Sequence, residues 1–191
     1  MKRKHRLGLV MLLMLVLGGL VAYWSWRGRV EHSQDGPIAA AARRYGVEPA
    51  LVKAVVWRES RFNPAARGRA EEIGLMQIRE DAAREWADAE RIAGFEHAQC
   101  FDPITNTLAG TWYLKKLLKR YPQTDNPAVY ALADYNAGRG NVLKWCGGAA
   151  ATNSAAFLEQ MAFPGTRDYV RSVLDRYAYY QSLFGSRSSN R

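Results

Sequence analysis

Glu59 lies in the stretch Val52–Pro64, VKAVVWRESRFNP, and its place in the apolar pattern makes it a candidate acid or base. An α-helix turns by about 100° per residue. With Leu51 at zero, Val55, Val52 and Val56 fall at about 40°, 100° and 140°, and Phe62 near 20°. Glu59, at about 80°, falls near the centre of this apolar arc. Lys53, Trp57, Ser60 and Arg61 take the other side. A carboxylate on an apolar face must pair with a cation, accept several hydrogen bonds, or keep its proton because desolvation raises its pKa. The third state is that of a general acid at neutral pH. The plainer alternative puts Glu59 at the frayed, wet end of the helix, where it does no chemistry.

Other chemistries are poorly supplied. The histidines are His5, His32 and His97, and no pair has metal-ligand spacing. HExxH, CxxC, GxSxG, a Walker loop and a dinucleotide fingerprint are all missing from the sequence. No metal or cofactor is expected. Cys100 and Cys146 are the only cysteines, and they are equally readable as one disulfide or as two small buried hydrophobes.

The elements that must position Glu59 read as helices. Pro37 and Gly46 bracket a first short helix, and Pro49 opens the one that carries Glu59. Residues 62–72 read as a loop, and Ile73–Glu90 returns to helical spacing. Asp102 and Asn126 are N-cap candidates for two further helices, and Gly138 stops the second of these. A short helix over Asn141–Trp145 follows, then a loop from Cys146 to Phe157, then a last helix from Thr166 to Phe184. No run of alternating strands occurs, so the expected class is a mostly α domain over 37–184. Residues 185–191 read as a polar tail.

The N-terminus adds a second segment. A basic cluster precedes an uncharged stretch from Leu7 to Trp26, long enough to cross a bilayer. Lys2, Arg3, Lys4 and Arg6 put the start of the chain in the cytoplasm, and Tyr23, Trp24 and Trp26 suit the far interface. We expect a single-pass anchor over 1–26 in the inner membrane, with the domain on the periplasmic side. A cleaved signal peptide is the alternative. Residues 27–36, RGRVEHSQDG, read as a linker. The net charge of +9 is concentrated here, leaving 21 basic residues against 18 acidic ones from residue 30 onward. That near balance argues against nucleic acid as a partner.

Five segments now read together: ESRFNP (Glu59–Pro64), IGLMQI (Ile73–Ile78), FDPITNTLAGTWYLKKLLKRY (Phe101–Tyr121), ALADYNAGRGNVLKW (Ala131–Trp145) and TRDYVRSVLDRY (Thr166–Tyr177). In this order they resemble the catalytic domain of the soluble lytic transglycosylases, relatives of goose-type lysozyme. The resemblance covers roughly residues 38–184. It implies a lysozyme-like fold, peptidoglycan glycan strands as partner, and cleavage of the β-1,4 bond between N-acetylmuramic acid and N-acetylglucosamine. It maps the single catalytic glutamate onto Glu59, first as acid and then as base, giving a 1,6-anhydro end without water. Ordinary glycosidases need two carboxylates.

By the same resemblance Met76 lines the groove, Gln77 hydrogen-bonds sugar, and Tyr135 and Asn136 lie near the N-acetyl group and the reacting centre. Tyr169 stands close to the acid. The alternative for Leu75, Met76 and Tyr169 is ordinary core. Trp57 leaves the apolar arc and is a candidate for stacking on a sugar ring. The chain departs from the family at Gly68, where a serine is usual, and at Glu71, Glu72, Arg79, Glu80, Asp134 and Arg139. A Glu72 placed across the cleft would position water and make a hydrolytic lysozyme. A non-catalytic wall-binding or secretion-complex protein is the remaining reading.

Overall fold

The computed structural model describes the backbone of residues 2–188 and the side chains of residues 11–183. The chain divides into two units, 1–34 and 35–191.

The first unit is one helix, α1 (Lys2–His32). It has 31 residues, so it is about 46 Å long, against about 30 Å of bilayer hydrocarbon. From Met11 onward it is long and apolar enough to cross a membrane, and the apolar stretch is nowhere buried by protein. The expected linker is largely absent, because α1 continues through Arg27–His32 and only Ser33 and Gln34 separate it from the next helix. Arg27, Arg29 and Glu31 are polar but helix-compatible, and polarity alone does not end a helix.

The second unit is helical throughout. Its elements are α2 (Asp35–Tyr45), α3 (Pro49–Ser60), α4 (Glu80–Ala89), α5 (Pro103–Leu118), α6 (Pro127–Ala137), α7 (Arg139–Trp145), α8 (Ser154–Gln160) and α9 (Pro164–Ser188). Two short 3-10 turns, His97–Phe101 and Gly148–Ala151, complete it. α3 packs on α2 and α9, α5 on α2, α4 and α6, and α6 on α9. Among the described residues no strand forms, only isolated bridges Arg67–Ile73 and Ile73–Ile78.

Several local expectations change. Ile73–Ile78 is a bridged loop rather than the start of a helix, and α4 begins only at Glu80. Its apolar residues bury themselves individually against α5 instead of forming a stripe. Asp102 caps α5, accepting from the Thr105 N–H at 2.8 Å. Asn126 makes no such side-chain bond at α6. The expected loop after Cys146 contains α8, capped by Asn153, which accepts from the Ala156 N–H at 2.9 Å. α9 runs to Ser188, into the expected tail, and residues 189–191 lie outside the described residues.

Candidate active site

α3 is buried almost all round, which alters the meaning of the Glu59 pattern. Val52, Ala54, Val55 and Val56 are fully enclosed, but so are Lys53, at 2% exposure, and most of Ser60. Both were expected on a solvent side. Lys53 is neutralised by Asp35 of α2, Nζ to Oδ1 at 2.5 Å, and Ser60 donates to the Val56 carbonyl at 3.1 Å. A helix clamped between α2 and α9 has no free face along its length. After the buried run Ala50–Val56, it opens partly to water at Trp57–Glu59 near its C-terminal end. There Arg61 and Phe62 both adopt left-handed φ, 52° and 65°, and turn the chain away one residue after Ser60.

Glu59 occupies the last turn before that reversal and is partly buried. Tyr169, at 1% exposure on α9, donates its hydroxyl to Glu59 Oε1 at 2.6 Å. The Glu59 pKa is pushed up from 4.5 to about 7. Desolvation is the main cause, and the Tyr169 hydrogen bond and the Arg58 charge work against it, while the Glu72 charge adds to it. Arg58 lies over the Tyr169 ring at 5.2 Å. The result is a carboxyl group that exchanges its proton near neutrality and is fixed in direction by one donor.

The loop 73–78 faces this end of α3 and is held from behind by Asn106 of α5. Asn106 is completely buried. Its Oδ1 accepts from the Met76 N–H at 2.8 Å, and its Nδ2 donates to the carbonyls of Ile73 at 2.9 Å and Cys100 at 2.8 Å. Gly74 makes this possible. Its φ is +76°, and a Cβ there would lie 2.1 Å from Asn106 Nδ2 and 2.4 Å from the Cys100 carbonyl.

Gln77 also adopts a left-handed φ, 46°. Its Nε2 donates to Ala66 O at 3.2 Å and Gly74 O at 2.9 Å. Both amide hydrogens are thus used inside the loop, so the side-chain oxygen is what Gln77 has left for a ligand. Met76 is different again. Its side chain is at 0% exposure, packed over Gly110, and Thr111 Oγ1 donates to its sulfur at 3.8 Å. It forms core rather than groove wall, and its carbonyl is its contribution to the site.

That carbonyl accepts from the Tyr135 hydroxyl at 2.7 Å, tying α6 to the loop. Burial, and then the charge of Glu59, hold the Tyr135 hydroxyl well above its usual pKa. Its ring packs on Tyr113 of α5 at 5.6 Å between centroids. Asn136 follows, exposed near the end of α6. The fold therefore gathers Glu59, Gln77, Tyr135 and Tyr169, together with the Met76 backbone, at one end of α3. Among the described residues no three His, Cys, Asp or Glu side chains gather as a metal site would need.

Comparison with known proteins bears on what this end of α3 belongs to. Residues 36–158 match the family model described as Transglycosylase SLT domain. The chain belongs to the transglycosylase SLT family. Its SLT domain is 36% identical over 136 residues to the soluble lytic murein transglycosylase of Escherichia coli K12, covering 70% of this chain and 21% of that protein. It is 37% identical over 119 residues to membrane-bound lytic murein transglycosylase C of Klebsiella pneumoniae, covering 59% of this chain and 33% of that one. The chain thus spans about a fifth to a third of these relatives. Among solved structures, a 70-kDa soluble lytic transglycosylase in complex with bulgecin A matches with a TM-score of 0.73 at 30% identity, over 82% of this chain and 25% of that one. An inactive mutant of the lytic transglycosylase Slt of Pseudomonas aeruginosa gives 0.71 at 26%, over 78% and 24%. The lysozyme-like helical architecture of the SLT domain agrees with the expectation from sequence.

Other expectations for the SLT domain need correction. Cys100 and Cys146 are free thiols, the first buried and the second partly so. Trp57 is not a bare platform, since the guanidinium of Arg61 stacks 3.6 Å from its ring centre and that of Arg176 lies at 4.2 Å. Trp86, Trp145 and Tyr130 are core, as their apolar size suggests. The departure at Asp134 has a structural reason. Asp134 is at 2% exposure and accepts from Arg120 at 2.9 Å and the Tyr121 hydroxyl at 2.7 Å, anchoring α6 to the end of α5 beside Tyr135. Sequence reasoning missed Asn106 altogether. The available signal was a lone amide on an otherwise apolar stripe of α5, the same kind of anomaly that singled out Glu59.

Proposed function

We propose that this chain is a peptidoglycan lytic transglycosylase acting at the outer face of the cytoplasmic membrane. The observation that carries the reading is the Glu59 carboxyl: desolvated, poised at a pKa of about 7, and aimed by the Tyr169 hydroxyl at 2.6 Å. A group that must give a proton and then take one within a single turnover works best near neutrality.

In the first step Glu59 donates its proton to the bridging oxygen between N-acetylmuramic acid C1 and N-acetylglucosamine C4, and the C1–O bond breaks. In the second step the Glu59 carboxylate takes the proton of the muramoyl C6 hydroxyl, and O6 bonds to C1. The proton lost in the first step is regained in the second, and no water is consumed. Gln77, through its side-chain oxygen, and Asn136 are the proposed sugar contacts. Tyr135 and Tyr169 hold the loop and the acid in place. The partner is the glycan strand. α1, with its basic start, is the proposed membrane anchor, which leaves the SLT domain on the periplasmic side. No cofactor is required by this chemistry.

The test is digestion of purified peptidoglycan by the full chain in detergent, beside Glu59→Gln, with products weighed by mass spectrometry. Anhydromuropeptides from the wild type alone support the reading. Products one water heavier would instead indicate hydrolysis, for which Glu72 is the available second carboxylate. No product from either protein would leave a binding role.

A further inference from the structure

The Glu59 end of α3 is closed by a turn that its residues do not favour. Arg61 and Phe62 stand at φ 52° and 65°, two successive left-handed residues, neither of them glycine. Long and aromatic side chains resist that conformation, so their surroundings must hold it. Two backbone bonds contribute: the Arg61 N–H donates to the Trp57 carbonyl at 3.3 Å, and the Asn63 N–H to the Ser60 carbonyl at 3.1 Å. The Phe62 side chain is buried. Arg61 is exposed, and its side chain is attached differently.

That attachment is Trp57. The guanidinium carbon of Arg61 lies 3.6 Å from the Trp57 ring centre and that of Arg176 lies 4.2 Å from it. Two guanidinium groups so near one centre cannot share a face, so the indole is held between them. Arg176 sits on α9, two helical turns after Tyr169, so the two side chains leave α9 from the same side. α9 therefore grips the last turn of α3 at two points. Tyr169 holds Glu59 at 2.6 Å, and Arg176 lies against Trp57. Arg61, on the other face of the indole, ties the turn after the helix into the same stack. Were that turn to relax, the chain would follow helical dihedrals past Ser60, and the last turn of α3 would be free to roll on α9 and draw Glu59 off the Tyr169 hydroxyl.

We propose that Trp57, Arg61 and Arg176 are positioning residues for the acid: the stack keeps the left-handed turn in place and fixes the last turn of α3 to α9, so that the Glu59 carboxyl stays on the Tyr169 hydroxyl. This rests on the reading of Glu59 as the acid. It also gives Trp57 a task other than stacking on a sugar. The groups facing Glu59 are Arg58 on α3, Tyr169 on α9, Tyr135 on α6 and Glu72 in the loop before Ile73. Of these, Tyr169 is the one whose approach the stack controls. Loosening the stack weakens the hydrogen bond that favours ionised Glu59, so the alkaline limb of the rate profile moves to higher pH.

The experiment uses the full chain in detergent with Trp57→Leu, Trp57→Phe, Arg61→Gly and, as reference, Glu59→Gln and Tyr169→Phe. Cleavage of purified peptidoglycan gives kcat, KM and the pH profile, and thermal unfolding of the same preparations by near-UV circular dichroism gives stability. Trp57→Leu changes no charge, so any shift of its alkaline limb reports geometry. Arg61→Gly suits the left-handed backbone, so it loses the stack while its unfolding stays close to the wild type. Both should lower kcat about ten- to a hundred-fold with KM nearly unchanged, and move the alkaline limb up by as much as about one pH unit, toward that of Tyr169→Phe. Trp57→Phe keeps an aromatic face and should restore most of kcat. Unchanged kcat and pH limb in Trp57→Leu and Arg61→Gly, in an enzyme that Glu59→Gln inactivates, would overturn the proposal alone. So would a loss confined to Trp57→Leu that follows its loss of stability. A Glu59→Gln variant as active as the wild type would overturn the acid assignment, and this proposal with it.

Discussion

Glu59→Gln should make the SLT domain more stable, and by an amount that depends on pH in a defined way. Burial holds the Glu59 pKa at about 7 in the folded chain, against 4.5 when unfolded. The folded state therefore binds the proton more tightly. Below about pH 4.5 both states are protonated and the residue is neutral in the balance. As pH rises through 4.5 and on to 7, the unfolded chain ionises freely while the folded chain must ionise in a desolvated place, so stability falls. At about 1.4 kcal/mol per pKa unit, the loss levels off above pH 7 at about 2–3 kcal/mol, the lower end allowing for the contact Glu59 keeps with water. Glutamine has the same shape, accepts the Tyr169 hydroxyl and never ionises. Urea unfolding of residues 35–191 should thus give nearly equal stabilities for wild type and variant at pH 4. At pH 8 the variant should be ahead by about 2–3 kcal/mol, or roughly 5–10 °C in Tm. A difference that stays constant between pH 4 and 8 would refute the claim that a desolvated carboxyl stands at this position.

Three further outcomes follow from the geometry. Tyr169→Phe removes the donor that stabilises ionised Glu59, so the alkaline limb of the peptidoglycan-cleavage profile should move up by about one pH unit; a limb that stays put or moves down would contradict the hydrogen bond's role. Asn106→Ala removes the partner of the Met76 N–H and of the Cys100 carbonyl and leaves the Ile73 carbonyl only its bond from the Ile78 N–H, and should cost about 3–5 kcal/mol in urea unfolding, with loss of activity as loop 73–78 loosens. Asp134→Ala strands Arg120 and the Tyr121 hydroxyl near the core, and a loss of about 3–5 kcal/mol is expected in the same measurement.

Much of the fold is visible in the residues because capping and proline signals are local. Pro49, Asp102 and Pro103 mark helix starts where the structure has them. The loop 73–78 is illegible for the opposite reason. Its helical spacing of Ile73, Met76 and Ile78 is genuine, but its conformation is decided by Asn106, some thirty residues away, and by a left-handed Gly74. Glu59 was singled out by a wheel that was only half right. The middle of the helix has no solvent side, as the burial of Lys53 shows, and what marks Glu59 is its place in the partly open last turn. The role of Tyr169 could be anticipated only by resemblance, because nothing local links residues 110 positions apart. That the Glu72 carboxylate fills the space a Cβ at Gly68 would take, 2.1 Å away, needed coordinates, since a glycine in a polar loop reads as a turn.

The two free thiols give this chain an internal clock. Cys100 is at 0% exposure and its thiol is pushed up to about 12 by desolvation, whereas Cys146 is only partly covered. Burial raises the Cys146 thiol as well, so an alkylating reagent labels it slowly in the folded chain, but it reaches Cys100 only in molecules that have opened. The Cys100 carbonyl is bonded to Asn106, the same side chain that holds the loop beside Glu59. The rate at which Cys100 becomes labelled is therefore a direct readout of how often the scaffold behind the acid comes apart, and it should slow when a glycan occupies the cleft.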